Sequence, residues 1–206
     1  MKVDQETQKG FIDALASKEP TPGGGAAAAV ALGKSAALAT MVANLTIGRD
    51  KWADGWPAAG QAKAVAEPIL ERSLELATDD IAAFDEVMAA WKSPKEEQGR
   101  SDRIKAATLG AAEVPLETAE LALQILEILP PLADSGNANA VTDAGTAALL
   151  AHASALSACL NVRVNAADLD EEKGAAMTAR TEEIEATAGT LTETTLGIVH
   201  GRLRMA

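Results

Sequence analysis

Apolar and polar positions recur along this chain at helical spacing. Phe11, Ile12 and Leu15 share one face of a short first helix that Asp4 would cap and that the run Glu19-Pro20-Thr21-Pro22 would end. Gly23, Gly24 and Gly25 then open a stretch of small residues over 26–45, which predicts a central helix that neighbouring backbones can approach closely. Residues 49–57 read as a polar loop, and its Trp52 and Trp56 need either a packing partner or a flat ligand. A long helix is predicted over 58–91, kinked or restarted at Pro68. Its Leu70, Leu74, Ala77, Ile81, Phe84, Met88 and Trp91 follow at i+4 and i+3 steps and mark a core face.

A further helix is predicted over 95–129, bent at Pro115 and ended by Pro130-Pro131. Residues 136–140 form a turn-rich connector, Thr142 or Asp143 can cap a helix reaching 166, and a last helix covers 170–204 with Asp170, Glu171 and Glu172 at its positive end. No clear alternating run of Val, Ile, Thr or Tyr appears, so the pattern predicts an all-α fold, a bundle of long antiparallel helices forming one domain over 1–206.

Composition sharpens this picture. Alanine dominates the 48% of hydrophobic residues and there is no tyrosine, so the core must come from close helix approach rather than bulky rings. Helices this long and this poor in large side chains also invite an oligomeric interface. The formal charge of -12 repels nucleic acid and anionic lipid surfaces without excluding a small anionic ligand. Cys159 stands alone, which rules out an internal disulfide or a thiolate cluster and points to a reducing compartment, the cytoplasm. Residues 23–43 are apolar enough to suggest a membrane span, but Ala, Gly and Lys34 make a buried helix the better reading. The first residues lack the apolar core of a secretory signal.

Several positions could carry chemistry. Gly33-Lys34-Ser35 imitates the end of a phosphate-binding loop, yet Ala28 stands where that loop needs glycine and a helix replaces the required strand. The turn Thr21-Pro22-Gly23-Gly24-Gly25 can aim bare N–H groups at a ligand, or simply pack against another helix. Asp80 shares a helix face with Phe84, a suitable seat for a planar cation, although Asp79-Asp80 taken alone more often marks a solvated face. Asp143 at a helix start is equally well explained as a cap, and nine residues place His152 on the opposite side of its helix. Spacing assembles neither a Ser-His-Asp set nor a metal cluster.

Six segments in order carry a family resemblance. They are Pro20-Thr21-Pro22-Gly23-Gly24-Gly25, Met41-Val42-Ala43-Asn44-Leu45-Thr46-Ile47-Gly48, Asp80-Ile81-Ala82-Ala83-Phe84-Asp85-Glu86-Val87-Met88, Ala112-Glu113-Val114-Pro115-Leu116, Gly136-Asn137-Ala138-Asn139 with Thr142-Asp143-Ala144-Gly145, and Ala158-Cys159-Leu160-Asn161-Val162-Arg163-Val164-Asn165. With them the chain resembles the cyclodeaminase/cyclohydrolase family, which includes stand-alone bacterial methenyltetrahydrofolate cyclohydrolases and the C-terminal domain of formiminotransferase-cyclodeaminase. The resemblance implies a helical homodimer with folate in a cleft near the subunit interface, and no metal or cofactor beyond the tetrahydrofolate substrate. It implies catalysis by Asp143 and Asp80, with Thr21, Pro22, Gly23, Gly24, Gly25, Asn44, Phe84 and Asn139 around the substrate. Arg49 and Lys51 would receive the glutamate tail, although Asp50 interrupts what is usually a Lys-rich stretch.

The implied reaction is hydrolysis of 5,10-methenyltetrahydrofolate to 10-formyltetrahydrofolate. Its closest alternative is cyclisation of 5-formiminotetrahydrofolate with loss of ammonia. A length with no room for a fused transferase domain favours the hydrolase, and a folate-binding protein without catalysis is the alternative of another class.

Overall fold

The computed structural model describes residues 8–205, and every regular element among them is helical. In chain order these are α1 (Gln8–Leu15), α2 (Gly24–Thr46), a 3-10 helix (Asp50–Gly55), α3 (Trp56–Lys92), α4 (Arg100–Ser135), a 3-10 turn (Ala138–Ala140), α5 (Val141–Ala166) and α6 (Glu171–Met205). The expected cap at Asp4 lies outside the described residues.

Consecutive long helices pack as neighbours, α5 closes back onto α2, and α6 lies over α4 and α5. Side-chain bonds fix the directions. Ser35 Oγ donates to the Ala147 carbonyl at 2.7 Å and Ser154 Oγ to the Ala28 carbonyl at 2.8 Å, so α2 and α5 run antiparallel. Arg72 grips Glu117 through two bonds of 2.8 and 2.9 Å and ties α3 antiparallel to α4. Arg163 clamps Glu185 at 2.8 and 2.7 Å, which holds α5 antiparallel to α6.

The core is built as its composition demands. Ala26, Ala29, Ala36, Ala39 and Ala43 on α2 and Ala144, Ala147, Ala151, Ala155 and Ala158 on α5 are all without solvent exposure. Gly33 serves the close approach of α2 to α3, because a Cβ there would stand 2.4 Å from Ser73 Oγ. The Gly33-Lys34-Ser35 triplet is therefore a packing device. Cys159 is buried too, and burial pushes its thiol up to about 11, the state of an inert packing residue. Both α2 and Ala138–Ala166 are long and apolar enough to cross a membrane, and 56% and 44% of those windows is buried inside this bundle.

Five expectations are corrected. Residues 50–55 are a 3-10 helix rather than a loop, Trp56 starts α3, and Trp56 Nε1 donates to the Thr46 carbonyl at 3.1 Å. α4 begins at Arg100, after a turn that Gly99 closes at φ +77°, a conformation in which other side chains are strained. It also runs through Pro130 and Pro131 to Ser135, because Leu129, Leu132 and Ala133 are locked in the core on either side of them. Neither Thr142 nor Asp143 caps α5, whose N-cap is Ala140 without a side-chain bond.

The anticipated core stripe of α3 is the remaining correction. Only Ala77 and Ile81 of it are buried, while Leu74, Phe84, Met88 and Trp91 are exposed. The buried stripe carries Ala59, Ala62, Ala66, Ile69, Ser73, Leu76 and Ala77, in which small residues outnumber the two large ones, Ile69 and Leu76.

Candidate active site

The turn before α2 delivers Gly23, Gly24 and Gly25 to a junction with the C-terminal half of α3, the start of α4 and the end of α5. A cleft of about 270 Å³ opens there, with Thr21, Gly24, Gly25, Asp80, Phe84 and Asn161 among its walls. The Thr21–Pro22 peptide is cis, and Pro22 is buried behind the turn.

Among the described residues, Asp80 is the only ionisable one lining this cleft. Its carboxylate rests on the backbone of Gly25, where a Cβ would fall 2.0 Å from Oδ1. Burial raises the Asp80 pKa above the ordinary carboxylate value, and a backbone hydrogen bond from Ala26 opposes part of that rise. Ala26 stands in the first turn of α2, so the helix dipole also favours the ionised form. A half-buried carboxylate without a cationic partner can take a proton from water or face a positive substrate. Asp79, its neighbour in sequence, is instead held by Arg72 at 2.8 Å in the α3–α4 ion-pair network.

Phe84 lies one helical turn from Asp80 and its ring is 37% exposed on the same cleft, available for stacking on a flat ligand. Sequence reasoning missed two residues of the opposite wall, Asn161 and Asn165. Asn165 Nδ2 donates to the Ala111 carbonyl at 2.8 Å and to the Asn161 carbonyl at 3.0 Å, while Asn161 Nδ2 donates to the Ser157 carbonyl at 2.8 Å. Two asparagines at i and i+4 in an alanine-rich helix were the signal.

The remaining candidates lie at the other end of the bundle. Eighteen positions of α5 separate Asp143 from Asn161, about 27 Å at roughly 1.5 Å per residue. Asn44 stands twenty residues beyond Gly24 on α2, about 30 Å away by the same rise. Asn44 accepts a 2.9 Å bond from Lys63, and the backbone N–H of Asn139 donates to Asn137 Oδ1 at 3.0 Å. Asn137 pins this end, bonding the Leu45 carbonyl at 2.9 Å and Thr46 Oγ1 at 3.0 Å. Arg49 and Lys51 are exposed beside Trp52, whose ring has Lys51 Nζ at 4.8 Å and Arg202 Cζ at 6.0 Å. One chain thus brings Thr21, Gly23, Gly24, Gly25, Asp80 and Phe84 together, and leaves Asn44, Arg49, Lys51, Asn139 and Asp143 apart from them. No cluster of three metal-ligating side chains occurs among the described residues.

Comparison with known proteins fits this architecture. The profile of the formiminotransferase-cyclodeaminase family matches residues 7–185. A methenyltetrahydrofolate cyclohydrolase of Methylorubrum extorquens is 40% identical over 195 residues, which cover 91% of this chain and 93% of that protein. The formimidoyltransferase-cyclodeaminase of Mus musculus is 29% identical over 171 residues, 80% of this chain but 31% of the mouse protein. The crystal structure of a formiminotetrahydrofolate cyclodeaminase from Thermotoga maritima superposes with a TM-score of 0.88 at 30% identity, covering 98% of this chain and 99% of that one.

Proposed function

Because the chain belongs to the formiminotransferase-cyclodeaminase family, we propose that it is an enzyme that hydrolyses 5,10-methenyltetrahydrofolate to 10-formyltetrahydrofolate. Asp80 carries this reading: a carboxylate without a cationic partner, seated at the mouth of α2 in a cleft whose lining has no basic side chain. Such a cleft suits a flat cation. The 40% identity to a cyclohydrolase across nearly the whole of both chains favours hydrolysis over the cyclodeaminase reaction.

The chemistry follows from those positions. The bridge carbon of the substrate is an amidinium carbon held between two nitrogens, and its positive charge pairs with Asp80. Water adds to that carbon as Asp80 removes one of its protons, giving a neutral tetrahedral adduct. Asp80 returns the proton to N5 as the bond from carbon to N5 breaks. The adduct's hydroxyl proton leaves to solvent, and the carbon remains on N10 as a formyl group. The N–H groups of Gly24 and Gly25, at the start of α2, favour the oxygen as negative charge gathers on it. Phe84 supports the ring face, and tetrahydrofolate itself is the only organic group the reaction needs.

A homodimer in the cytoplasm is part of the same proposal. An apolar face crosses α1, α2, α3 and α5, with Ile12 53%, Leu149 52% and Leu160 64% exposed, and it encloses a groove of about 520 Å³. Val164, 71% exposed, carries this face to the wall of the cleft. Two groups acting on one carbon must each stand within a hydrogen bond or one water of it. Asp143 therefore shares the reaction with Asp80 only as a residue of a second copy, and Asn44, Arg49, Lys51 and Asn139 approach the substrate on the same condition.

The deciding experiment follows the methenyl chromophore with purified protein and each folate separately. Accelerated loss from methenyltetrahydrofolate is expected. Appearance of the chromophore from formiminotetrahydrofolate with ammonia release would establish the cyclodeaminase instead, and binding without turnover would establish a folate-binding protein.

A further inference from the structure

We propose that Asn165 is the specificity residue for the pyrimidine edge of the pterin, its Oδ1 accepting from the ring's amino and N–H donors. This rests on the folate reading above and names a contact within that site. Both hydrogens of the Asn165 amide are already committed, one to the Ala111 carbonyl at 2.8 Å and one to the Asn161 carbonyl at 3.0 Å. Two carbonyls can only accept, so the nitrogen must face them and the amide cannot turn over. Among the described residues Oδ1 has no protein partner, and Asn165 lines the cleft.

A fixed acceptor that cannot become a donor discriminates by hydrogen-bond polarity. It welcomes an edge of N–H groups and rejects an edge of lone pairs, since a lone pair there would face Oδ1 without a proton between them. The reduced pterin presents such an N–H edge at its 2-amino group and N3. Asp80 stands on the opposite wall, provided by α3, and the exposed ring of Phe84 lies on the same side as Asp80. The ring's donor edge against α5 thus leaves the cationic bridge for the carboxylate. Asn161 supports the arrangement through its carbonyl, which holds one of the two Asn165 protons.

The test measures binding of 5-formyltetrahydrofolate and of its 2-desamino-2-methyl analogue by calorimetry, in the wild type and in two variants. Asn165→Leu removes the acceptor. Asn165→Ser also withdraws it but keeps a hydroxyl able to bond the Asn161 carbonyl one turn back, so it preserves the helix if the leucine variant does not fold. The wild type is expected to prefer the amino ligand by roughly tenfold, the worth of one hydrogen bond, and either variant to bring the ratio near one. Equal binding of both ligands by the wild type, or a preference that survives in a folded variant, overturns the assignment while leaving the folate reading intact. Failure of the wild type to bind either folate overturns both.

Discussion

Gly25 and Asp80 occupy one space: the carboxylate of α3 lies where any side chain on Gly25 would have to begin, with 2.0 Å between Oδ1 and the position of a Cβ. The glycine is thus required by the site rather than by its backbone conformation, since its φ lies outside the positive region. Gly25→Ala should push the carboxylate off the first turn of α2 and lower kcat/KM by about a hundredfold, the usual cost of misplacing a reacting group by an ångström. Gly60→Ala is the control, because nothing stands within 4 Å of a Cβ there. That exposed helix position should gain up to about 1 kcal/mol with activity unchanged, as thermal unfolding and steady-state kinetics would show.

In the proposed mechanism Asp80 exchanges stability for reactivity. Its folded pKa is raised by burial, so the unfolded chain holds its proton less tightly and stability falls as pH climbs through the raised value. Asp80→Asn removes that penalty. The variant should be more stable than the wild type at neutral pH, and the difference should vanish below the ordinary carboxylate pKa. Turnover of the variant should fall by about 10²-fold or more. Chemical denaturation at several pH values, paired with chromophore assays, measures both.

The same raised value shapes the activity of the wild type. A base must be ionised to accept a proton, so kcat/KM should decline as pH drops through the Asp80 pKa, with the acidic limb lying above the range of an ordinary aspartate. An acidic limb at or below the ordinary range would remove Asp80 as the base.

Asp143 offers a test of the shared site. Asp80→Asn and Asp143→Asn should each lose most activity alone if both carboxylates act on the substrate, and the two come from different copies in the proposed dimer. Unfolding and refolding an equal mixture should then restore about a quarter of wild-type activity, because half the dimers are mixed and each holds one intact site. An active Asp143→Asn variant would place this residue outside the mechanism.

Much of this fold was legible because helical spacing, glycine turns and alanine content all favour one class. The α3 stripe was misread for a physical reason. Leu74, Phe84, Met88 and Trp91 are bulky, yet the buried face of α3 is centred on Ala62, Ala66, Ile69, Ser73, Leu76 and Ala77, where Ser73 meets Gly33 of α2 so closely that a Cβ on Gly33 would not fit. Pro130 and Pro131 end a helix only when nothing holds the next turn, and sequence does not reveal that Leu132 and Ala133 are in the core. At the site, the glycine turn, Asp80 and Phe84 were legible from residue type and spacing. The resemblance named Asp143 and Asn139 without saying which end of the bundle they occupy. Asn165 escaped notice because the bonds that fix its amide run to two carbonyls, of Ala111 and Asn161, that no side-chain pattern displays.

The two serine bonds between α2 and α5 have a further consequence. Alanine-rich helices carry few large side chains to fix the register of one against the other. Ser35 on one helix and Ser154 on the other act as a pair of dowels, each catching a single carbonyl of the facing helix. They set the alignment of the two helices, and with it the level at which Gly24 meets Asn161, so two hydroxyls in the middle of the bundle gauge the width of a cleft at its end.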